Sequence, residues 1–189
     1  FSDEKAGGVC GKLALYETDE SIFEEGLYWR YENFIKEKES EIQTIVGING
    51  QVFAIRKELF EPLPADTIVE DQVLGMKLLS RGYNILFEPE AIVKERIGNF
   101  REEFKRRVRI SAGNFQSIKF SKKILNPKAG FASFALWSHK ILRWLAPFLL
   151  IAIFIGNLFL LDTPIFKFIL SSQIIFCFIS IIHYALIKL

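Results

Sequence analysis

Two uncharged apolar runs near the end of the chain limit its possible folds more than any other feature. Trp144 to Leu161 carries no charged side chain, and Phe168 to Ile187 again carries none, although it holds Gln173 and His183. Each run approaches the ~20 residues needed to cross ~30 Å of hydrocarbon. Asp162-Thr163-Pro164 between them reads as a tight connection. The alternative is a pair of buried helices in a soluble bundle, but 21.8 kDa leaves too little other protein to cover both. The expectation is a two-helix transmembrane hairpin at about 144–161 and 168–187, within a membrane segment spanning 141–189.

Charge is segregated from these runs. Lys119, Lys122, Lys123, Lys128, Lys140 and Arg143 precede the first, and Lys188 follows the second. The positive-inside rule then places the preceding chain and the C-terminus in the cytoplasm, with Asp162 on the far side; Lys167 weakens the contrast slightly. The expected location is the inner (cytoplasmic) membrane, as a multi-pass protein with residues 119–140 as a basic interfacial linker. Phe131 to Trp137 is expected to lie along the interface, and His183 to reach interfacial water. A formal net charge of +2 offers no footprint for nucleic acid. Cys10 and Cys177 show no metal spacing, and two histidines, His139 and His183, argue against a histidine metal centre or a Ser-His-Asp triad.

Residues 1–118 alternate strand and helix signals, which points to an α/β domain. Gly7 to Tyr16 reads as a strand, and Thr18-Asp19-Glu20-Ser21 can cap a helix from Ile22 to about Glu41, whose Tyr and Trp residues are expected to be half-buried. Two β-rich runs flank Asn49-Gly50, a hairpin signal because both residues tolerate positive φ. The same glycines, Gly47 and Gly50, also permit close approach of a backbone to a ligand. Pro62 and Pro64 precede a helix from Glu70 that Gly82 ends. Tyr83 to Phe87 reads as a strand, Glu88-Pro89-Glu90 as a turn and Ala91 to Val93 as a short strand. Asn99 can cap a basic amphipathic helix at 100–117.

Two features carry candidate chemistry. Glu70-Asp71 opens a helix, where acids complement the positive end of the dipole whether or not they act on a substrate. In the helix at 100–117, Arg101, Lys105 and Arg109 share one face beside Phe100, Phe104 and Val108. Such a helix is a solvated surface, lies at a membrane interface, or presents guanidinium groups to phosphate.

The order of these segments resembles the C-terminal half of a membrane-bound family 2 glycosyltransferase, the group that includes cellulose, hyaluronan and poly-N-acetylglucosamine synthases. The matching pieces are Gly47 to Arg56, then Val69-Glu70-Asp71, Gly82-Tyr83-Asn84-Ile85, Phe104 to Ile110 and the apolar runs. The resemblance implies a GT-A fold and inverting transfer of a sugar from a nucleotide-sugar donor to a glycan or lipid-linked acceptor, in cell-surface polysaccharide synthesis. It makes Asp71 the general base and Glu70 its neighbour on the acceptor side. Arg109, with Arg106, falls on the diphosphate side, and Gly47, Asn49 and Gly50 near the acceptor. Arg106 and Ile110 depart from the family's Gln and Trp, which bears against processive polymerisation. The family's Asp-x-Asp has no match here, so the ligands of its Mg or Mn cofactor are expected in an N-terminal half preceding Phe1, and no metal ligand is assigned within this chain. The non-enzymatic alternative is a membrane-anchored module whose basic helix binds anionic lipid or a partner subunit.

Overall fold

The computed structural model describes residues 3–16, 27–96 and 100–187. They fall into two compact units, Phe1–Ile141 and Leu142–Leu189. The caps expected at Thr18 to Ser21 and at Asn99 lie outside the described residues, as do Lys188 and the side chain of His183.

The first unit is α/β, built on a small mixed sheet. Its strands are β1 (Ala6–Tyr16), β2 (Phe53–Ile55) and β3 (Asn84–Arg96), in the order β2-β1-β3. β2 runs antiparallel to β1, with Cys10 opposite Phe53, and β3 runs parallel, with Cys10 opposite Phe87. A parallel pair needs a long crossover. Here the chain between β1 and β3 contains α1 (Leu27–Ile42) and α2 (Glu70–Ser80). The core gathers Cys10 and Leu13 of β1, Ile45 and Val46, Val73, Met76 and Leu79 of α2, and Ile85 of β3, each no more than 5% exposed. After β3 come α3 (Phe100–Ser117), α4 (Phe131–Ala135) and a π-helical stretch, Leu136–Ile141. Phe131 to Trp137 is therefore helical, with Ala132, Ala135 and Leu136 buried within the unit and Phe134 facing outward.

Three sequence expectations are corrected. Glu88-Pro89-Glu90 is not a turn between two strands but part of a bulge in one. The register steps from Gly11 opposite Glu88 to Lys12 opposite Ile92, leaving Pro89, Glu90 and Ala91 unpaired. Proline has no N–H for the ladder, and a side chain at Gly11 would meet the Ala91 carbonyl. Nor does Asn49-Gly50 turn a hairpin. Asn49 is extended at φ −107°, Gly50 opens a short 3-10 turn through Val52, and β2 pairs with β1 rather than with residues 44–48. Segment 44–46 bonds to β3 instead, with the Ile45 N–H donating to the Ile85 carbonyl at 2.9 Å. Finally, α1 turns its aromatic side out. Tyr28, Tyr31 and Phe34 are more than half exposed, Trp29 is half-buried as expected, and Glu32, Lys36 and Glu39 are buried. Polar partners meet that inner face, and buried charge is tolerated only with such partners.

The second unit is a helical hairpin of α5 (Leu142–Leu158) and α6 (Pro164–Ile187). Pro164 occupies the first position of α6, where a missing N–H costs nothing, so the helix begins there and not at Phe168. The Asn157 amide donates to Gln173 Oε1 at 3.0 Å between the helices. Most remaining side chains are apolar and outward, among them Phe148, Ile151, Phe168, Phe176 and Ile179. The apolar window of the second candidate span is 0% buried and that of the first 11%, unlike core helices of a soluble bundle. Two long apolar helices of this kind suggest membrane association.

Candidate functional site

The first turn of α2 carries Glu70 and Asp71, with Val69 as an extended N-cap that makes no side-chain cap bond. Asp71 Oδ1 accepts from the Gln72 N–H at 2.8 Å. Asp71 is half-buried and Glu70 exposed. The helix start is seated by α3. Gln116 Oε1 accepts from the Ile68 N–H at 2.9 Å, and its amide donates to the Asp66 carbonyl at 2.8 Å. Gly113 lies so close to Val69 that a side chain there would collide with it.

Segment 44–50 faces α2 from the other side. A Cβ built on Gly50 would stand 2.8 Å from Asp71 Oδ2, 3.0 Å from its Cγ and 3.1 Å from its Cβ. Further along the helix, Gly75 admits the Ile48 side chain, and Gln72 Nε2 donates to the Val46 carbonyl at 3.4 Å. The fold therefore brings Asn49, Gly50 and Asp71 together, although about twenty residues separate them in sequence.

Asn49 is fixed from three directions. Its Oδ1 accepts from Lys36 Nζ at 3.0 Å, its amide donates to the Gly11 carbonyl at 3.3 Å, and its backbone N–H donates to Cys10 Sγ at 3.1 Å. Gly47 lies against Lys140, and a Cβ there would collide with the ammonium and Cε. Lys140 Nζ donates to Glu32 Oε1 at 3.1 Å. His139 bridges Glu39 Oε1 at 2.8 Å and Glu32 Oε2 at 3.1 Å. Lys140, read by sequence as part of the basic interfacial linker at 119–140, is buried and paired with Glu32. Burial pushes the Cys10 thiol above its ordinary range; the charges of Lys36 and Lys140 pull it down and that of Asp71 pushes it up, so all three act near this thiol.

The two candidate arginines differ. Arg106 Nε donates to Glu103 Oε2 at 2.8 Å, and its guanidinium lies 3.8 Å from Glu95. Glu95 also accepts from Gln51 at 3.0 Å, which ties the Gly50 turn to α3. The hydrogen bond from Arg106 holds the Glu103 carboxyl below its usual range. Arg106 must therefore exchange partners to reach a phosphate. Arg109 is exposed and shares, by helical spacing, the face of α3 that carries Gly113 and Gln116.

Lys36, Gln116 and the buried glutamates, and the part played by His139, do not stand out in the sequence. One signal was available: Glu32, Lys36 and Glu39 fall at i, i+4 and i+7, one face of a helix. Among the described residues no three His, Cys, Asp or Glu side chains converge to hold a metal ion.

No protein-family model matches the sequence, and no curated protein matches it. Among solved structures, the chain is distantly similar to the mannosyltransferase PcManGT from Pyrobaculum calidifontis, in complex with GDP-Man and Mn2+. The identity is 15% and the TM-score 0.45, over 91% of this chain and 52% of that one. The chain spans about half the length of that enzyme.

Proposed function

We propose that this chain is the acceptor-side part of a membrane-bound glycosyltransferase with a GT-A fold, transferring a sugar from a nucleotide-sugar to a glycan or lipid-linked acceptor at the cytoplasmic membrane face. The observation that carries the reading is the approach of Gly50 to the Asp71 carboxylate, at the start of a helix seated by α3. A sugar hydroxyl is a poor nucleophile, and a carboxylate within hydrogen-bond reach takes its proton as the new glycosidic bond forms. In this reading Asp71 is that base. The missing side chain at Gly50 lets the Asp71 carboxylate pack close against the backbone there, and Gly47, Asn49 and Gly50 form the wall beside it. Glu70, exposed one residue earlier, contacts the acceptor. Arg109, and Arg106 after release from Glu103 and Glu95, stabilise the leaving diphosphate. A divalent Mg or Mn ion would supply Lewis-acid chemistry from a donor-side portion of the enzyme, and no step here depends on it.

The test is transfer by the full-length protein in membranes, using radiolabelled UDP-glucose, UDP-N-acetylglucosamine and GDP-mannose as the donor panel. Asp71→Asn is expected to lower transfer by about a hundredfold or more, with circular dichroism and melting unchanged. Transfer that survives this substitution refutes Asp71 as the base.

A second reading rests on α3. Phe104 and Val108 are more than half exposed, beside the exposed side chains of Arg101, Lys105 and Arg109. An apolar stripe flanked by cations suits an anionic lipid surface. A non-catalytic membrane module would use that face and leave Asp71 idle.

A further inference from the structure

The charged face of α1 lies outside the chemistry proposed above, yet it reaches the segment that walls Asp71. Lys36 is 1% exposed and Lys140 9% exposed. Burial of an ammonium is costly unless its hydrogen bonds are met; Lys36 donates to segment 47–50 itself, and Lys140 donates to Glu32 while lying against Gly47. Lys36 Nζ donates to Asn49 Oδ1 at 3.0 Å, with the Phe87 ring 5.9 Å away. Lys140 lies against Gly47 and is anchored by Glu32 at 3.1 Å, itself bridged through His139 to Glu39. The next residue after Asn49 is Gly50, which meets the Asp71 side chain. The segment is held on one side by two buried ammonium groups and on the other by Asp71, Gln72 and Gly75 of α2.

We propose that Lys36 and Lys140 are positioning residues that set the distance between Gly50 and the Asp71 carboxylate, acting through the backbone of segment 47–50. A hydrophobic α1 would cover the same surface without specifying where that segment stops. A hydrogen bond to one amide oxygen and a close contact at one glycine do specify it, because each tolerates only a few tenths of an ångström of slip. The inference rests on the assignment of Asp71 as base for its consequence in catalysis, but not for its structural content.

The test uses the full-length protein in lipid nanodiscs with Lys36→Met, and with Lys140→Met paired to Glu32→Gln so that no buried charge is left alone. Hydrogen exchange read by mass spectrometry is expected to quicken by about tenfold or more in peptides covering 44–52 and the first turn of α2, with β1 and β3 unchanged. With an active donor from the panel, kcat is expected to fall by about tenfold at unchanged donor KM, the pattern of a misplaced catalytic group. Exchange that stays at the wild-type rate, or quickens equally across the sheet, overturns the proposal; the latter marks general loss of stability. Should Asp71→Asn leave transfer intact, the functional reading falls while hydrogen exchange still decides whether the lysines hold the segment.

Discussion

Gly50→Ala isolates the contact on which the catalytic reading depends. The backbone at Gly50 is not in the left-handed region, since Gly82 and Gly130 are the positive-φ glycines among the described residues. Alanine therefore meets no backbone penalty, and any cost comes from the side chain opposite. Ordinary contact begins at 3.4 Å, and the new methyl would fall short of it by 0.6 Å at Asp71 Oδ2, 0.4 Å at Cγ and 0.3 Å at Cβ. A rotamer change moves the first two atoms but not Cβ, so either α2 or segment 47–50 must also shift. Such overpacking costs about 1–3 kcal/mol in a closed core; Gly50 is exposed, so the lower end applies. Catalysis is less tolerant, because a carboxylate misplaced by about 1 Å loses about a hundredfold in rate. The expected result for the full-length enzyme in membranes is a kcat about ten- to a hundredfold lower, with melting changed only slightly. Gly82→Ala is the control. At φ +88° with nothing within 4 Å it is strained but remote, and is expected to cost about 1 kcal/mol of stability at full activity. Wild-type turnover in Gly50→Ala, measured with the active donor, would refute the idea that the contact with Gly50 sets the position of the Asp71 carboxylate.

Two further outcomes are expected. The Cys10 thiol has a raised pKa in the fold because burial disfavours the thiolate. Its contribution is fully present below the unfolded value near 9.0 and is lost as pH rises from there through the folded value. Cys10→Ala should therefore flatten the alkaline loss of stability above pH 9.0 in a denaturant titration; an unchanged alkaline limb speaks against a buried neutral thiol. In the helical hairpin, Asn157→Leu removes the donor to Gln173. It should weaken helix association by about 0.6–1.7 kcal/mol, measured by steric trapping in bicelles, and no change would mean that the pair contributes nothing there.

The sequence alone was enough for features governed by local physics. The absence of charge from Trp144 to Leu161 and from Phe168 to Ile187 marks two apolar helices, because side-chain solvation depends little on neighbours once a run is this long. Glu70 and Asp71 open α2 as read, since proline upstream, acids in the first turn and a downstream glycine are all local signals. The basic helix from Phe100 to Ser117 appears over the expected span for the same reason.

Tertiary structure decided what depends on partners distant in the chain. Asn49-Gly50 has the chemistry of a hairpin turn, but Lys36, Gly11 and Cys10 bind Asn49 in an extended conformation, and three tertiary contacts outweigh one turn preference. Glu88-Pro89-Glu90 reads as a turn because proline interrupts a ladder, yet Gly11 on the neighbouring strand absorbs the interruption as a bulge. By pattern the tyrosines of α1 are half-buried, yet they face outward. The outcome was set by His139, some hundred residues away, which accepts the charged side instead. The neighbours of Asp71 follow the same rule: the carboxylate is visible in the sequence, but Gly50 beside it and the lysines behind are assembled only by the fold, because those contacts span distances along the chain that no local pattern encodes.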